Sequence, residues 1–266
     1  MDLGLAGKTA IVTGASAGIG RACATALHDE GVHVALVARD PVRLKDAATA
    51  IAARTSAGGN AAVIPIGADL SKAADVERAV AGAADRLQRI DILINCAGAA
   101  RAGAFLQLAD DEYLDAWTLK LLGYIRMVRA VAPLMIAQRD GRIVNIVGGA
   151  GRTPDEMFLA GGTANAALLN FTRGVSRFLA RHNVRINAIS PGTTATERAE
   201  RLINQRVSAG GLSAGDVRAQ MEAAIPLGHL VGPEEIAAMA LLFVSDRVPS
   251  LTGAEILIDG GQTPGM

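Results

Sequence analysis

The fold is indicated most directly by residues 9–20, which read TAIVTGASAGIG. The apolar run Thr9–Thr13 predicts a buried strand, and the periodic segment 18–30, closed by Gly31, predicts a helix. Glycines between them allow a tight turn and let backbone N–H groups approach a pyrophosphate, which the helix N-terminus favours. A turn in this position predicts a dinucleotide site that includes Gly14, Ser16, Gly18 and Ile19. The alternative is that the glycines serve helix–strand packing alone.

The same alternation of short apolar runs and longer helical periods continues along the chain. Further strands are predicted at 32–37, 61–66, 90–96, 142–147, 184–190 and 255–259, and further helices at 41–56, 72–87, 110–138 and 164–181. Such strands predict a parallel sheet covered on both faces. The expected fold class is therefore α/β, a single Rossmann-like, doubly wound domain over residues 1–266 that binds ligands at the carboxyl ends of its strands. Residues 193–226 form the one long irregular region, which predicts a substrate lid.

Composition excludes several classes of protein. Half of the residues are hydrophobic and a fifth are charged, which excludes a disordered chain. The 26 basic and 26 acidic residues cancel, so neither nucleic acid nor a membrane is expected as a partner. Cys23 and Cys96 have no disulfide or metal-site spacing, and no metal is predicted. Without a secretory signal or a long apolar run, a cytoplasmic location is expected.

Several motifs, in order along nearly the whole chain, resemble the classical short-chain dehydrogenase/reductase family. The glycine turn resembles its TGxxxGxG motif, Asn95-Cys96-Ala97-Gly98 resembles its NNAG motif, and residues 232–237 and 251–261 resemble its C-terminal segments. The resemblance implies a small-molecule substrate and a nicotinamide dinucleotide. It also implies that the cofactor is contacted by Asp69 and Leu70 at the adenine, by Asn95, Ala97 and Gly98, and by Pro191, Gly192, Thr194 and Thr196 near the nicotinamide.

The end of the second predicted strand bears on the choice of cofactor. An acid at this position would bind the ribose 2′-hydroxyl and repel a 2′-phosphate. Ala38 stands at the family's acid position, and Arg39 offers a guanidinium suited to phosphate, so NADP(H) is favoured over NAD(H). The alternative is that Arg39 is a solvated surface residue and Asp40 binds the ribose.

The catalytic residues that the family resemblance implies are missing. The family uses a Tyr four residues before a Lys, with a Ser and an Asn, and this chain contains no YxxxK. Alignment on residues 165–168 places Asn165 at the lysine and Gly161 at the tyrosine, while Gly148 stands at the serine. Lys120 stands at the asparagine of the long helix. All four positions depart from the family pattern, so the usual mechanism of carbonyl reduction is not expected.

Lys120 is the candidate catalytic residue. By the resemblance it faces the cofactor cleft, where desolvation would lower its pKa and suit it to act as an acid, oxyanion stabiliser or Schiff-base amine. The alternative is an ordinary helical lysine on a solvated face. Thr153 and Thr163 are the hydroxyls nearest the missing Ser and Tyr, and turn or capping roles are expected for them.

Three functions remain open at this point. The favoured one is an NADP(H)-dependent oxidoreductase that acts on a small or medium organic carbonyl, alcohol or activated alkene through a site without Ser-Tyr-Lys. A second is a non-redox lyase or isomerase that uses Lys120. A third is an inactive scaffold subunit that pairs with an active homologue. The resemblance also implies a homo-oligomer, a dimer or tetramer assembled through the helices at about 110–138 and 164–181.

Overall fold

Seven parallel strands form one sheet in the computed structural model, which describes residues 2–57, 59–98, 100–211 and 213–264. They are β1 (Thr9–Thr13), β2 (His33–Ala38), β3 (Val63–Gly67), β4 (Ile92–Asn95), β5 (Gly141–Ile146), β6 (Val184–Pro191) and β7 (Glu255–Ile258). Their order is β3-β2-β1-β4-β5-β6-β7, which confirms the doubly wound α/β fold. The order reverses between β1 and β4, and folds of this kind bind ligands at such a point.

Helices follow the strands and cover both faces of the sheet. They are α1 (Gly18–Asp29), α2 (Pro41–Ala52), α3 (Ala73–Leu87), α4 (Asp110–Ala116), α5 (Gly123–Gln138), α6 (Leu159–Ala180), α7 (Glu197–Ala209), α8 (Ala214–Ala223) and α9 (Pro233–Val244). None of the helices in the described part of the chain combines the length and the apolar character needed to cross a membrane.

The core divides into two layers because side chains alternate along each strand. In β1, Ala10 and Val12 pack with α1, α2 and α9, whereas Ile11 packs with α3 and α5 on the opposite face. All three side chains are fully buried. Burial of apolar surface on both faces is the main force that holds such a sheet together. It also explains why the strands consist of continuous apolar runs.

The interpretation of residues 193–226 as irregular was wrong, because α7 and α8 occupy most of that segment. The buried apolar side chains of α7 are few and include Ala199 and Ile203. Most of the other residues of this helix are polar or charged, so the apolar residues show no clear helical period in the sequence. At the start of α8, the Ser213 side chain accepts from Asp216 N–H, and the Asp216 carboxylate accepts from Ser213 N–H. Whether the segment acts as a lid remains a prediction.

Other helical segments also differ from the sequence-based ones. The segment 110–138 is interrupted by a π-helical turn, Trp117–Leu122, which holds Lys120. Helix α6 begins at Leu159, five residues before the predicted start, and α9 was not predicted as a helix. Pro233 stands in the first turn of α9, where its missing N–H costs no hydrogen bond, and Glu235 accepts from Gly232 N–H.

Candidate functional site

The glycine turn after β1 has a backbone that only glycines adopt easily. Gly14 and Gly18 have φ values of +66° and +53°, in the left-handed region. Gly20 is needed for a different reason: an added Cβ would overlap the Gly14 carbonyl oxygen and lie 2.8 Å from its carbonyl carbon. The turn therefore brings α1 against the end of β1 more closely than any side chain would allow.

The N-terminus of α1 fits the pyrophosphate of a dinucleotide. Its N-cap residue, Ala17, makes no side-chain capping bond, and the first turn contains no acidic residue. The backbone N–H groups and the positive end of the helix dipole are therefore not compensated by the helix itself. Thr196 closes one side of this space, since its Cγ2 lies 3.3 Å from where a Cβ on Gly18 would be. Ser16 and Ile19 are half-buried in the same turn.

Thr13 connects the glycine turn to the turn after β4, a role that the sequence analysis missed. Its Oγ1 accepts hydrogen bonds from Cys96 N–H at 2.9 Å and from Ala97 N–H at 3.2 Å. An added Cβ on Gly14 would lie 3.0 Å from the Ala97 backbone. In the sequence, only the hydroxyl of a threonine at the last position of β1 could have indicated this role. The two turns consequently line one cleft at the point where the strand order reverses.

Asn95 and Leu70, both predicted at the cofactor, have buried side chains. Asn95 Nδ2 donates to Asn145 Oδ1 at 3.0 Å, and Asn145 Nδ2 donates to Thr172 Oγ1 at 2.9 Å. This chain of bonds ties β4 to β5 and α6. Leu70 belongs to the apolar core between the sheet and α3. Any contact of these two residues with a cofactor would therefore be made through the backbone.

Arg39 stands where the sequence predicts the adenine end of the cofactor. Arg39 is exposed at the end of β2 and lines a cleft of about 500 Å³. Asp40, the alternative ribose ligand, caps α2 instead, with Oδ1 accepting from Val42 N–H at 3.0 Å and Arg43 N–H at 3.1 Å. This bonding occupies one of its carboxylate oxygens. Asp40 therefore has a capping role, and which of the two side chains meets the ribose stays a prediction.

Asp69 lies half-buried after β3, on the same edge of the sheet. Burial raises the pKa of its carboxyl, but two hydrogen bonds from Ser71 and the charges of Arg39 and Lys72 outweigh this and leave the pKa below its ordinary value. The carboxylate is therefore ionised near neutral pH. Its contact with the adenine stays a prediction.

The predicted nicotinamide end is formed after β6. Pro191 is buried, and an added Cβ on Gly192 would lie 2.7 Å from Asp259 Cβ, so this glycine permits a close approach of two segments. Thr194 Oγ1 donates to the Gly192 carbonyl at 3.0 Å, and Thr196 Oγ1 donates to the Thr194 carbonyl at 3.4 Å. These bonds shape the loop that leads from β6 into α7.

Asn165 and Gly148, which stand at two of the catalytic positions by the sequence alignment, contact each other. Asn165 is 2% exposed; its Nδ2 donates to the Gly148 carbonyl at 3.4 Å, and its Oδ1 has no partner among the residues that the structure describes. An added Cβ on Gly161 would overlap the Phe158 ring and lie 2.9 Å even from its Cδ1. The Phe158 ring therefore covers the place from which the family's tyrosine would project.

Lys120 occupies the centre of this region. From the π-helical turn its stem runs beside Gly98, where an added Cβ would lie 3.0 Å from the lysine Cδ, and its Nζ donates to the Val147 carbonyl. Desolvation lowers the pKa of Lys120 to about 8; the Cys96 thiol opposes this shift, and the positive charge of Arg198 adds to it. Lys120 is half-buried and bonded to a backbone carbonyl, which favours the cleft over the alternative of a lysine on a solvated face.

Thr163 has the structural role expected for it. Its Oγ1 donates to the Leu159 carbonyl at 2.9 Å, one turn earlier in α6, and accepts from Trp117 Nε1 at 3.0 Å. The hydroxyl thus links α6 to the π-helical turn that holds Lys120. It is not available as a replacement for the missing tyrosine.

The contact between Phe158 and Gly161 leads to a stability prediction. Gly161→Ala is expected to lower the free energy of unfolding by about 1–3 kcal/mol, because the ring must move to admit one methyl group. In Phe158→Ala/Gly161→Ala the two costs should not add, and urea unfolding of the four proteins measures the coupling. Additive effects would show that the ring does not restrict this position.

The comparison with known proteins agrees with this geometry. A family model described as enoyl-(acyl carrier protein) reductase matches residues 14–263, from the glycine turn to the segment after β7. The chain belongs to the short-chain dehydrogenase/reductase family. This family comprises oxidoreductases on a nucleotide-binding fold, and the resemblance seen in the sequence motifs is confirmed.

Individual relatives within the short-chain dehydrogenase/reductase family cover nearly the whole chain. The 2,3-dihydro-2,3-dihydroxybenzoate dehydrogenase of Bacillus subtilis is 32% identical over 99% of this chain and 98% of its own length. An NAD-dependent glycerol dehydrogenase of Listeria innocua is 33% identical over 98% and 96%. The crystal structure of L-sorbose reductase from Gluconobacter frateurii, complexed with NADPH and L-sorbose, has a TM-score of 0.94 at 26% identity and covers all of both chains. Relatives with either nicotinamide cofactor are therefore present.

Proposed function

We propose that this protein is an NADP(H)-dependent oxidoreductase that acts on a small or medium organic carbonyl, alcohol or activated alkene, with Lys120 in place of Ser-Tyr-Lys. The observation that carries the proposal is the position of Lys120, whose ammonium lies beside the Val147 carbonyl in the cleft and whose pKa is lowered to about 8. A proton donor with a pKa near the working pH is suited to general acid catalysis.

The nicotinamide, when bound, supplies the hydride. The chain must then stabilise the negative charge that develops on the substrate oxygen. Lys120 provides a cationic donor for that oxygen, and its hydrogen bond to the Val147 carbonyl holds the ammonium in place. Reduction of a double bond conjugated to a carbonyl needs the fewest catalytic groups from the protein, because solvent can deliver the last proton to carbon. Such an alkene is our first choice of substrate.

The test is a substrate screen that follows nicotinamide absorbance with NADPH and a panel of enones, ketones and, with NADP⁺, alcohols. Turnover is expected with at least one enone and should be lost in Lys120→Ala. If no member of the panel produces cofactor turnover, the proposed reaction is wrong. Turnover that survives in Lys120→Ala would assign the chemistry to other residues.

Preference for NADP(H) is proposed on the position of Arg39, exposed at the end of β2 while Asp40 caps α2. Arg39→Gln is expected to weaken NADPH binding about tenfold or more, because charge-assisted hydrogen bonds contribute roughly 1.5–3 kcal/mol. NADH binding should not change. Titration calorimetry measures both, with Arg86→Gln on the exposed face of α3 as the control. Equal affinity of the unaltered protein for NADPH and NADH would contradict the preference.

A lysine pKa of about 8 also favours a second candidate, in which the Lys120 amine forms a Schiff base in a non-redox lyase or isomerase reaction. Borohydride reduction in the presence of candidate carbonyl compounds would then leave a stable adduct on Lys120, detected by peptide mass spectrometry. Absence of an adduct with every carbonyl tried would exclude this candidate.

We further propose that the protein is cytoplasmic and forms a homo-oligomer, a dimer or tetramer. The oligomer is supported by apolar side chains that are exposed by 40–54% in the single chain: Leu114 on α4, Leu122 in the π-helical turn and Phe178 on α6. Light scattering on the purified protein measures the mass. Co-purification of an active homologue would instead support a scaffold subunit in a hetero-oligomer.

A further inference from the structure

We propose that Arg198, next to Lys120, binds a carboxylate of the substrate, so that the substrate is an anionic organic acid. The inference rests on the proposed function and names its substrate class. It depends on the juxtaposition of two cations from distant segments, the π-helical turn and the first turn of α7, next to the positions where the family's catalytic residues are replaced.

The position of Arg198 is defined by Phe158. The Arg198 guanidinium carbon lies 5.3 Å from the centroid of the Phe158 ring, within the distance of a cation–π interaction. The same ring covers Gly161, which stands at the family's tyrosine position. Arg198 is therefore held beside the place where the substrate's reacting group is expected, not at the adenine end marked by Arg39.

Neither cation is neutralised by a carboxylate. Within the residues that the structure describes, no acidic side chain lies within 4.0 Å of Lys120 or Arg198. The nearby acids of α7 are engaged elsewhere: Glu197 pairs with Arg43 and Glu200 pairs with Arg218. The positive charge beside the cleft is thus left for a ligand.

The electrostatic interaction between Arg198 and Lys120 also favours the binding of an anion. Desolvation and then Arg201 lower the pKa of Arg198, and the charge of Arg198 in turn contributes to the lowered pKa of Lys120. Arg198 is exposed and Lys120 is half-buried in the single chain, and an anion bound at Arg198 would offset the repulsion between the two cations. A guanidinium offers a planar fork that matches a carboxylate, and the Lys120 ammonium would then face the developing charge.

The anion could come from the substrate or from the cofactor phosphates, and a binding experiment separates these sources. Crotonate and crotonamide have the same shape and differ in charge. Their affinities are measured by ligand-observed NMR titration with the full chain, alone and saturated with NADP⁺. We expect crotonate to bind at least tenfold more tightly than crotonamide in both states. The preference should fall below threefold in Arg198→Gln and persist in Arg206→Gln, an exposed position further along α7.

Each other outcome overturns the inference. Equal affinity for the two probes would show that the cleft does not recognise charge. A preference that persists in Arg198→Gln would place the anion elsewhere, and one that NADP⁺ abolishes would assign it to the cofactor phosphates. Because the readout is binding, a protein that shows the preference but turns over no substrate would refute the proposed reaction and leave the carboxylate site in place.

Discussion

Replacing Lys120 with methionine is expected to reduce the turnover of NADPH with an enone substrate by a factor of about 10² to 10⁴, the range usual for loss of a positioned acid or oxyanion donor. Methionine keeps most of the stem that runs beside Gly98 but removes the ammonium bound to the Val147 carbonyl. Steady-state kinetics measures the loss. Lys45→Met, on the exposed face of α2, is the matched control and should retain full activity.

The pH dependence tests the same role independently. The groups that act on the pKa of Lys120 are the Cys96 thiol and the charge of Arg198, in addition to desolvation. With a pKa of about 8 the ammonium predominates below that pH, so the rate of reduction should fall as the pH rises through about 8. Lys120→Arg, which stays charged over this range, should remove that fall. A rate that rises with pH would indicate the neutral amine as the reacting form, as the Schiff-base candidate requires.

Gly20→Ala is expected to weaken NADPH binding about a hundredfold and to lower the free energy of unfolding by about 1–3 kcal/mol. The added methyl group would overlap the Gly14 carbonyl oxygen, so the turn must open. Opening it would displace the N–H groups of α1, and loss of two charge-assisted hydrogen bonds, at the lower limit of roughly 1.5 kcal/mol each, accounts for the factor. Titration calorimetry and urea unfolding measure the two effects.

Gly174→Ala in α6 is the control for the turn variant. An added Cβ there has no atom within 4 Å, and the residue is exposed in the middle of the helix. Alanine should therefore stabilise the protein by about 0.5–1 kcal/mol and leave NADPH binding unchanged. If Gly20→Ala bound NADPH as well as Gly174→Ala does, the glycine turn would be part of the architecture only.

Part of the fold was predictable from residues close together in the chain. The apolar run of β1, the glycines after it and the helical period of α1 all act over a few residues, so the nucleotide-binding unit was recognisable. Helix α7 was not predicted, because its local sequence signal is weak. Its few buried positions, Ala199 and Ile203, carry too weak a periodic signal among charged residues, and packing in the folded protein stabilises the helix.

In the candidate site, too, some features were predicted from the sequence and others were not. Lys120 was singled out, and a lowered pKa was expected for it, because it stands at a position where the family has asparagine; its bond to the Val147 carbonyl could not be predicted. The roles of Thr13 and Arg198 were missed, since their partners lie 83 and 40 residues away in the chain, at Cys96 and Phe158. Asn95 was expected at the cofactor, yet its side chain bonds to Asn145 inside the core.

The sequence by itself determined the class of fold and the glycine turn, and it predicts the loss of Ser, Tyr and Lys from the family's catalytic positions. Each of these is a property of residue type at a given spacing, where steric freedom and periodicity act locally. Only the tertiary structure decided that Phe158 covers Gly161, that Arg198 lies over that ring, and that Lys120 is desolvated beside Val147. Desolvation and Coulomb interactions depend on which atoms surround a group, and those atoms come from segments that meet only when the chain folds.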